Sequence, residues 1–249
     1  MTLSVCMAVY NGEKFIREQI ASILPQLSDN DEIVIVDDAS EDKSLLILAC
    51  FHDHRIRIIR QANNRGVVRT FEHAIREASG GVIFLSDQDD IWHVDKIETM
   101  MRAFTADPRV TLVLSNGELI DSSGRPLSQQ LNGGGRFRPG VLANLIKNRY
   151  QGSVMAFRKE ILEAVLPFPD DIPMHDSWIG LVNAVIGRVA YLPDRLLFYR
   201  QHEINVTSRR YGTVVRIVAH RWASAKNLIC RMGTMARVRS KLRASWIDG

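Results

Sequence analysis

Three carboxylates, Asp87, Asp89 and Asp90, fall within four positions of the segment FLSDQDDIW at residues 84–92. Like charges packed this closely repel one another unless a cation or a positive partner stands between them. They follow the apolar run at residues 82–85, which places them at the rim of whatever sheet that run joins. Hard oxygen ligands of this kind suit Mg2+ or Mn2+, and such an ion can in turn hold a diphosphate. Taken alone, the motif reads more readily as a solvated acidic turn with Asp90 capping the next helix, because short motifs recur by chance.

Three further groups raise the weight of the chemical reading. Asp37-Asp38 closes another apolar run, where a carboxylate can accept hydrogen bonds from a base or ribose, although such pairs are commonly turns or caps. In MHDSW (174–178), Asp176 precedes an apolar helical stretch. It reads either as an N-cap or as a general base that takes the proton of an attacking hydroxyl. YRQHE (199–203) ends a late apolar run with Arg200, which could meet phosphate, and His202, a structural imidazole or a third metal ligand.

These groups need a frame. Residues 3–9 (LSVCMAV), 32–36, 56–59 and 82–85 are short β-rich runs. Between them, residues 13–27, 42–51 and 67–78 carry apolar positions at helical spacing; Pro25 falls near the end of the first helix, and Ser40 can cap the second. Strand and helix alternating with short loops predict a parallel sheet covered on both faces. Ligands of such sheets lie beyond the carboxyl ends of the strands, so Tyr10, Asn11, Asp37, Asp38 and residues 87–90 are expected to converge. Later, residues 110–114, 154–157, 189–192 and 196–199 read as strands and 178–186 as a buried helix. Residues 121–124 form a turn, 132–135 (NGGG) a loop, and 211–246 a helix broken near Gly233.

The segments SVCMAVYNGEKF, IVIVDDAS, FLSDQDDIW, GSVMAFRKE, MHDSW and YRQHEINV, in this order, resemble the family 2 glycosyltransferases from residue 3 to about residue 206. SDQDDIW, with NNRGVVRTF before it and YRQH after it, is most similar to the bacterial rhamnosyltransferase-type branch. Members of that branch extend O-antigen or capsular chains from dTDP-L-rhamnose.

The resemblance implies an α/β GT-A (Rossmann-like) fold, a mostly parallel sheet with helices on both faces. Residues 1–206 would form the catalytic domain and 207–249 a basic helical tail. It implies an inverting transfer of a sugar from a nucleotide-diphosphate donor to a hydroxyl of a glycan or lipid-linked acceptor. Tyr10 and Asp38 would contact the base and Asp87 would lie near the ribose. Asp89 would bind Mg2+ or Mn2+, with His202 completing the metal site. Gly152 and Ser153 would shape the sugar and acceptor side, and Asp176 would be the base. Ala8, Glu13, Asn64, Gln88 and Arg200 complete the expected donor-binding set. One departure stands out: many relatives carry an Arg-Asn pair where this chain has Phe71-Glu72.

Composition bounds the remaining classes. The 249 residues suffice for one α/β domain, with 46% hydrophobic and 24% charged residues, both ordinary for a soluble protein. Three scattered cysteines point to a reducing, cytoplasmic setting, and the start MTLS lacks the features of a signal peptide. From Asn205 onward ten Lys and Arg face Asp248 alone, whereas the preceding chain carries twenty-seven acids against twenty-two bases. Val214, Val215, Ile217, Val218, Trp222, Ile229 and Met232 share one helical face of this basic tail. It reads either as a helix packed on its own domain or as a peripheral contact with anionic headgroups at the inner membrane. No nucleic-acid-binding motif accompanies the charge, so no nucleic-acid partner is expected. A GxGxxG cofactor loop is missing, as is the glycine-rich loop of a nucleotidyltransferase. The rival of a different class is a non-catalytic domain that holds nucleotide sugar or glycan.

Overall fold

The computed structural model describes residues 1–131, 137, 140–202 and 214–246, the side chains of 214–217 excepted. The predicted glycine-rich loop at 132–135 and the residues 203–213 leading into the tail lie outside these. Strands β1 (Leu3–Val9), β2 (Glu32–Asp37), β3 (Ile56–Arg60) and β4 (Val82–Ser86) alternate with helices α1 (Ile16–Ile23), α2 (Ser44–Ala49) and α3 (Val67–Glu77). They pair in parallel in the order β3-β2-β1-β4. Their β-branched and aliphatic runs are buried from end to end in β1, β2 and β4, as a sheet covered on both faces demands. The cover is visible in two contacts. Cys6 of β1 donates its thiol to Ala74 O of α3, whereas Gln19 of α1 donates to Ser86 Oγ at 2.6 Å. Ser86 lies in register with Met7, one residue along from Cys6, so α1 and α3 lie on opposite faces.

Beyond β4 the sheet changes character. After β5 (Ile91–Trp92) and α4 (Lys96–Ala106) come β6 (Val110–Ile120) and β7 (Pro126–Gln130), joined by the predicted turn at 121–124, where Gly124 takes φ +84. Then follow α5 (Val141–Ile146), β8 (Met155–Arg158), α6 (Leu162–Val165), α7 (His175–Ile186) and β9 (Arg188–Arg200). The order continues β8-β6-β9-β5, with β8 antiparallel to both β4 and β6, β6 parallel to β9, and β5 antiparallel to β9. The sheet is thus parallel in its first half and mixed in its second. The two late strands expected at 189–192 and 196–199 are one strand. Its register against β6 shifts repeatedly, which lets a single strand follow the curl of the sheet. Ser40 does not cap α2; its hydroxyl instead accepts the Asn11 N–H at 3.0 Å.

The tail forms α8 (Val214–Cys230) and α9 (Met232–Ser245), which part at Arg231, two residues before Gly233. They pack on the body through Leu228, Met235, Val238 and Leu242, the last three at i, i+3 and i+7 on one face of α9. Arg231 donates to the carbonyls of Ala164, Val165 and Pro167 and lies over the Trp178 ring; Lys241 pairs with Glu163 at 2.7 Å. Of the apolar stripe read from the sequence, the side chains of Val214, Val215 and Ile217 lie outside the described set, and Val218, Trp222, Ile229 and Met232 are exposed, Trp222 by 73%. Among the described residues no helix is long and apolar enough to cross a membrane.

Candidate active site

The registers Val9↔Asp37 and Met7↔Ser86 bring β1, β2 and β4 to an end at one sheet edge. Tyr10, Asp38 and Asp87 therefore emerge together, as the strand pattern predicts. Pairing of β5 with β9 then sets residues 89–90 beside Arg200, whose N–H donates to Asp90 Oδ1 at 3.0 Å. His202 lies two residues further on, and its Nε2 meets Asp89 Oδ2 at 2.7 Å.

A cavity of about 410 Å3 opens on this edge, lined by Ala8, Tyr10, Asp38, Asn64, Asp87, Gln88, Asp89 and His202 together with an apolar wall of Val67, Phe71 and Met174. A second, of about 330 Å3, shares Gln88, Asp89 and His202 and continues past Asn11, Glu13 and Asp42. Glu13 therefore lies on the far side of the Asp89–His202 pair from most of the expected donor set. Its carboxylate accepts the Lys43 N–H.

Several side chains are engaged in ways the sequence does not disclose. Gln88 clamps Tyr10: its Oε1 accepts the Tyr10 N–H at 2.9 Å and its Nε2 donates to Tyr10 O at 3.1 Å. A Cβ at position 12 would stand 2.6 Å from Gln88 Oε1, so a larger residue there would displace this clamp. Asp38 accepts the N–H groups of Arg65 and Gly66 at 2.7 and 2.9 Å, so it folds the 64–66 loop over the cavity as well as lining it. Arg200 does not reach the cavity. It is buried, paired with Glu18 at 2.6 Å, donating to Asp89 O and Ser122 O, with Phe15 against its guanidinium. The phosphate-binding arginine expected at the end of β9 is instead a brace beneath the 89–90 backbone, because its guanidinium donors are satisfied inside the fold. Ser153 is likewise buried rather than in the cavity.

Asp176 is not an N-cap. Met174 holds that position, and Asp176 sits in the first turn of α7, where the positive end of the helix dipole favours a carboxylate. Its Oδ2 accepts the Gly152 N–H at 3.0 Å and its Oδ1 the Ser177 N–H at 2.5 Å. Gly152 is closely packed: a Cβ there would stand 3.2 Å from His175 Nε2, and that ring would have to give by a few tenths of an ångström. His175 in turn stacks on Phe71 with ring centroids 4.0 Å apart.

Beneath these lies Lys96, fully buried, which no motif of the sequence singles out. Its ammonium donates to Ser153 O at 2.6 Å and sits 4.0 Å over the Trp92 ring. Burial pulls its pKa down to about 7, against the pull of the Asp90 and Asp87 charges. Burial also pushes Asp87 up to about 7, with the charges of Asp89 and then Asp176 adding to it; Asp90 is raised for similar reasons and its Oδ2 has no hydrogen-bond partner. A lysine six positions after an acidic run, at the start of an amphipathic helix, was the available signal.

Among the described residues no three His, Cys, Asp or Glu side chains surround a common point. Asp89 and His202 thus offer two ligands, an oxygen and an imidazole nitrogen, at the cavity edge. This donor set fits an ion that completes its coordination with phosphate oxygens and water rather than with protein.

The family model for glycosyl transferase family 2 matches residues 4–166. The chain belongs to that family. It is 29% identical over 217 residues to an uncharacterized glycosyltransferase, alr2836, of Nostoc sp., covering 82% of this chain and 66% of that protein. Over 121 residues, 49% of the chain and 47% of the relative, it is 31% identical to the UDP-Glc:alpha-D-GlcNAc-diphosphoundecaprenol beta-1,3-glucosyltransferase WfgD of Escherichia coli. The chain thus spans about half to two thirds of these relatives. Its fold matches Staphylococcus aureus TarS 1–349 in complex with UDP-GlcNAc, with TM-score 0.73, 17% identity, 99% of this chain and 72% of that one. It also matches the mannosyltransferase PcManGT of Pyrobaculum calidifontis in complex with GDP-Man and Mn2+, with TM-score 0.61, 20% identity, 99% and 75%. The fold is therefore that of GT-A glycosyltransferases.

Proposed function

We propose that this family 2 glycosyltransferase is metal-dependent and inverting, moving a sugar from a nucleoside-diphosphate donor to a hydroxyl acceptor. The observation that carries this reading is the Asp89–His202 contact at the edge of the larger cavity, with Asp176 near enough for its charge to act on Asp87. A divalent ion held by Asp89 and His202 would offset charge on the departing diphosphate. Tyr10, Asp38 and Asn64 would receive the nucleoside at the other end of the cavity. Asp176, fixed by two backbone N–H groups, would accept the proton of the attacking hydroxyl. Displacement in one step then inverts the anomeric carbon, and no protein nucleophile is used.

The finer assignments rest on fewer features. Phe71, Val67 and Met174 give the cavity an apolar wall suited to the methyl edge of a 6-deoxy sugar, which favours dTDP-L-rhamnose over a fully hydroxylated hexose. Trp222, Val218 and Ile229, exposed on a basic tail, favour a lipid-linked acceptor in cell-surface polysaccharide synthesis at the cytoplasmic face of the inner membrane. Incubation with dTDP-rhamnose, UDP- and GDP-sugars, an acceptor mixture and Mn2+ or Mg2+ tests the reading through nucleoside-diphosphate release. Release that needs the ion and yields product of inverted configuration is expected; retained configuration, or equal release in EDTA, would refute it.

A further inference from the structure

The end of the β6–β9 pair remote from the donor cavity carries a second charged feature. Val110 and Arg188 stand side by side where these strands begin, and α9 crosses close to them. Arg109, Arg188, Arg239 and Arg243 converge there on a cleft of about 170 Å3, closed by Gly187 and the Trp246 ring. Arg109 comes from the turn between α4 and β6, Arg188 from the start of β9, and Arg239 and Arg243 from α9. Two of the four are paired with one carboxylate: Asp107 accepts from Arg109 at 2.9 Å and from Arg188 at 2.7 Å. Arg239 and Arg243 make no ion pair with any described residue, and as an i, i+4 pair of like charge they destabilise α9 on their own. Arg188 begins β9 whereas His202 lies two residues beyond its other end, and no residue lines both this cleft and either of the cavities at the donor edge, so this cleft is no part of the donor site.

We infer that the arginine cleft between α9 and the start of β9 is a binding site for a phosphate group. Planar guanidinium forks match phosphate oxygens in pairs, and an anion seated among them removes the repulsion between Arg239 and Arg243. The phosphate can belong to a soluble molecule or to a lipid headgroup, and the two are separable. Calorimetry of the whole chain in EDTA with inorganic pyrophosphate tests the first. Sedimentation with phosphatidylcholine vesicles, with and without phosphatidic acid, tests the second. Binding in at least one arm is expected, weakened about tenfold or more in R239A/R243A and unchanged in D89A. R243A alone serves if the double variant does not fold. Equal binding by the wild type and the arginine variants in both arms, or no binding in either, would overturn the inference.

Discussion

Lys96 Nζ and Ser153 O meet at 2.6 Å in the fully buried space behind the acidic segment. One side chain thereby ties the 152–154 turn, which carries the Asp176-bound N–H of Gly152, to the start of α4 and offsets the charges of Asp87 and Asp90. Lys96→Met removes the donor and the countercharge together. A loss of about 2–4 kcal/mol in unfolding free energy is expected. Denaturant melts read this loss; an unchanged midpoint would mean that Lys96 is idle packing.

Asp176→Asn keeps the shape of the side chain and one of its acceptors. Turnover should fall by ~10²-fold or more while donor affinity holds. Initial rates at saturating and limiting donor separate the two effects, and a rise in KM alone would move Asp176 from base to binding group.

Asp89→Ala and His202→Ala should each weaken binding of Mn2+ with nucleoside diphosphate by ~10–100-fold. Titration calorimetry with and without the ion measures it. Affinity independent of the ion in the wild type would remove the metal from the reaction.

Glu72 accepts from Arg76 at 2.7 Å, from Arg69 and from the Phe168 N–H at 3.1 Å, fastening α3 to the loop before α7. Burial alone would raise its pKa, but these donors hold the carboxyl below its usual value. Such a carboxylate stabilises the fold above the ordinary glutamate pKa of about 4.3, and the contribution is lost as pH falls through the lower folded value. Glu72→Gln should therefore cost about 1–3 kcal/mol at pH 7, and the difference should begin to shrink near the ordinary glutamate pKa of about 4.3 and close as pH falls through the lower folded value. Paired melts across that interval check the sign.

Trp222→Ser should weaken pelleting with anionic vesicles by about tenfold, the worth of one buried apolar side chain. Transfer to a water-soluble acceptor should be unaffected. Equal pelleting would leave the tail as packing only.

The strands were legible because each of β1, β2 and β4 is an unbroken β-rich run, and parallel connectivity forces their ends to one edge. The meeting of Asp89 with His202 was legible for the same reason: both follow strands, and β5 and β9 pair. What stayed hidden depends on distant partners. Nothing local marks Arg200 as internal, since Glu18 and Ser122, far from it in sequence, bind it. The packed face of the tail stays hidden because Leu228, Met235, Val238 and Leu242, rather than the richer stripe through Trp222, are what the body covers. Lys96 was missed because a single cation on a helix is ordinarily a surface residue.

The double grip of Gln88 on the Tyr10 backbone has a mechanical meaning. Gln88 is the chain neighbour of Asp89, so the turn after β1 and the carboxylate that faces His202 move as one piece. A molecule reaching from Tyr10 to Asp89 would therefore meet two contacts whose spacing is tied by the Gln88 amide. Loosening that amide would let the two ends drift apart.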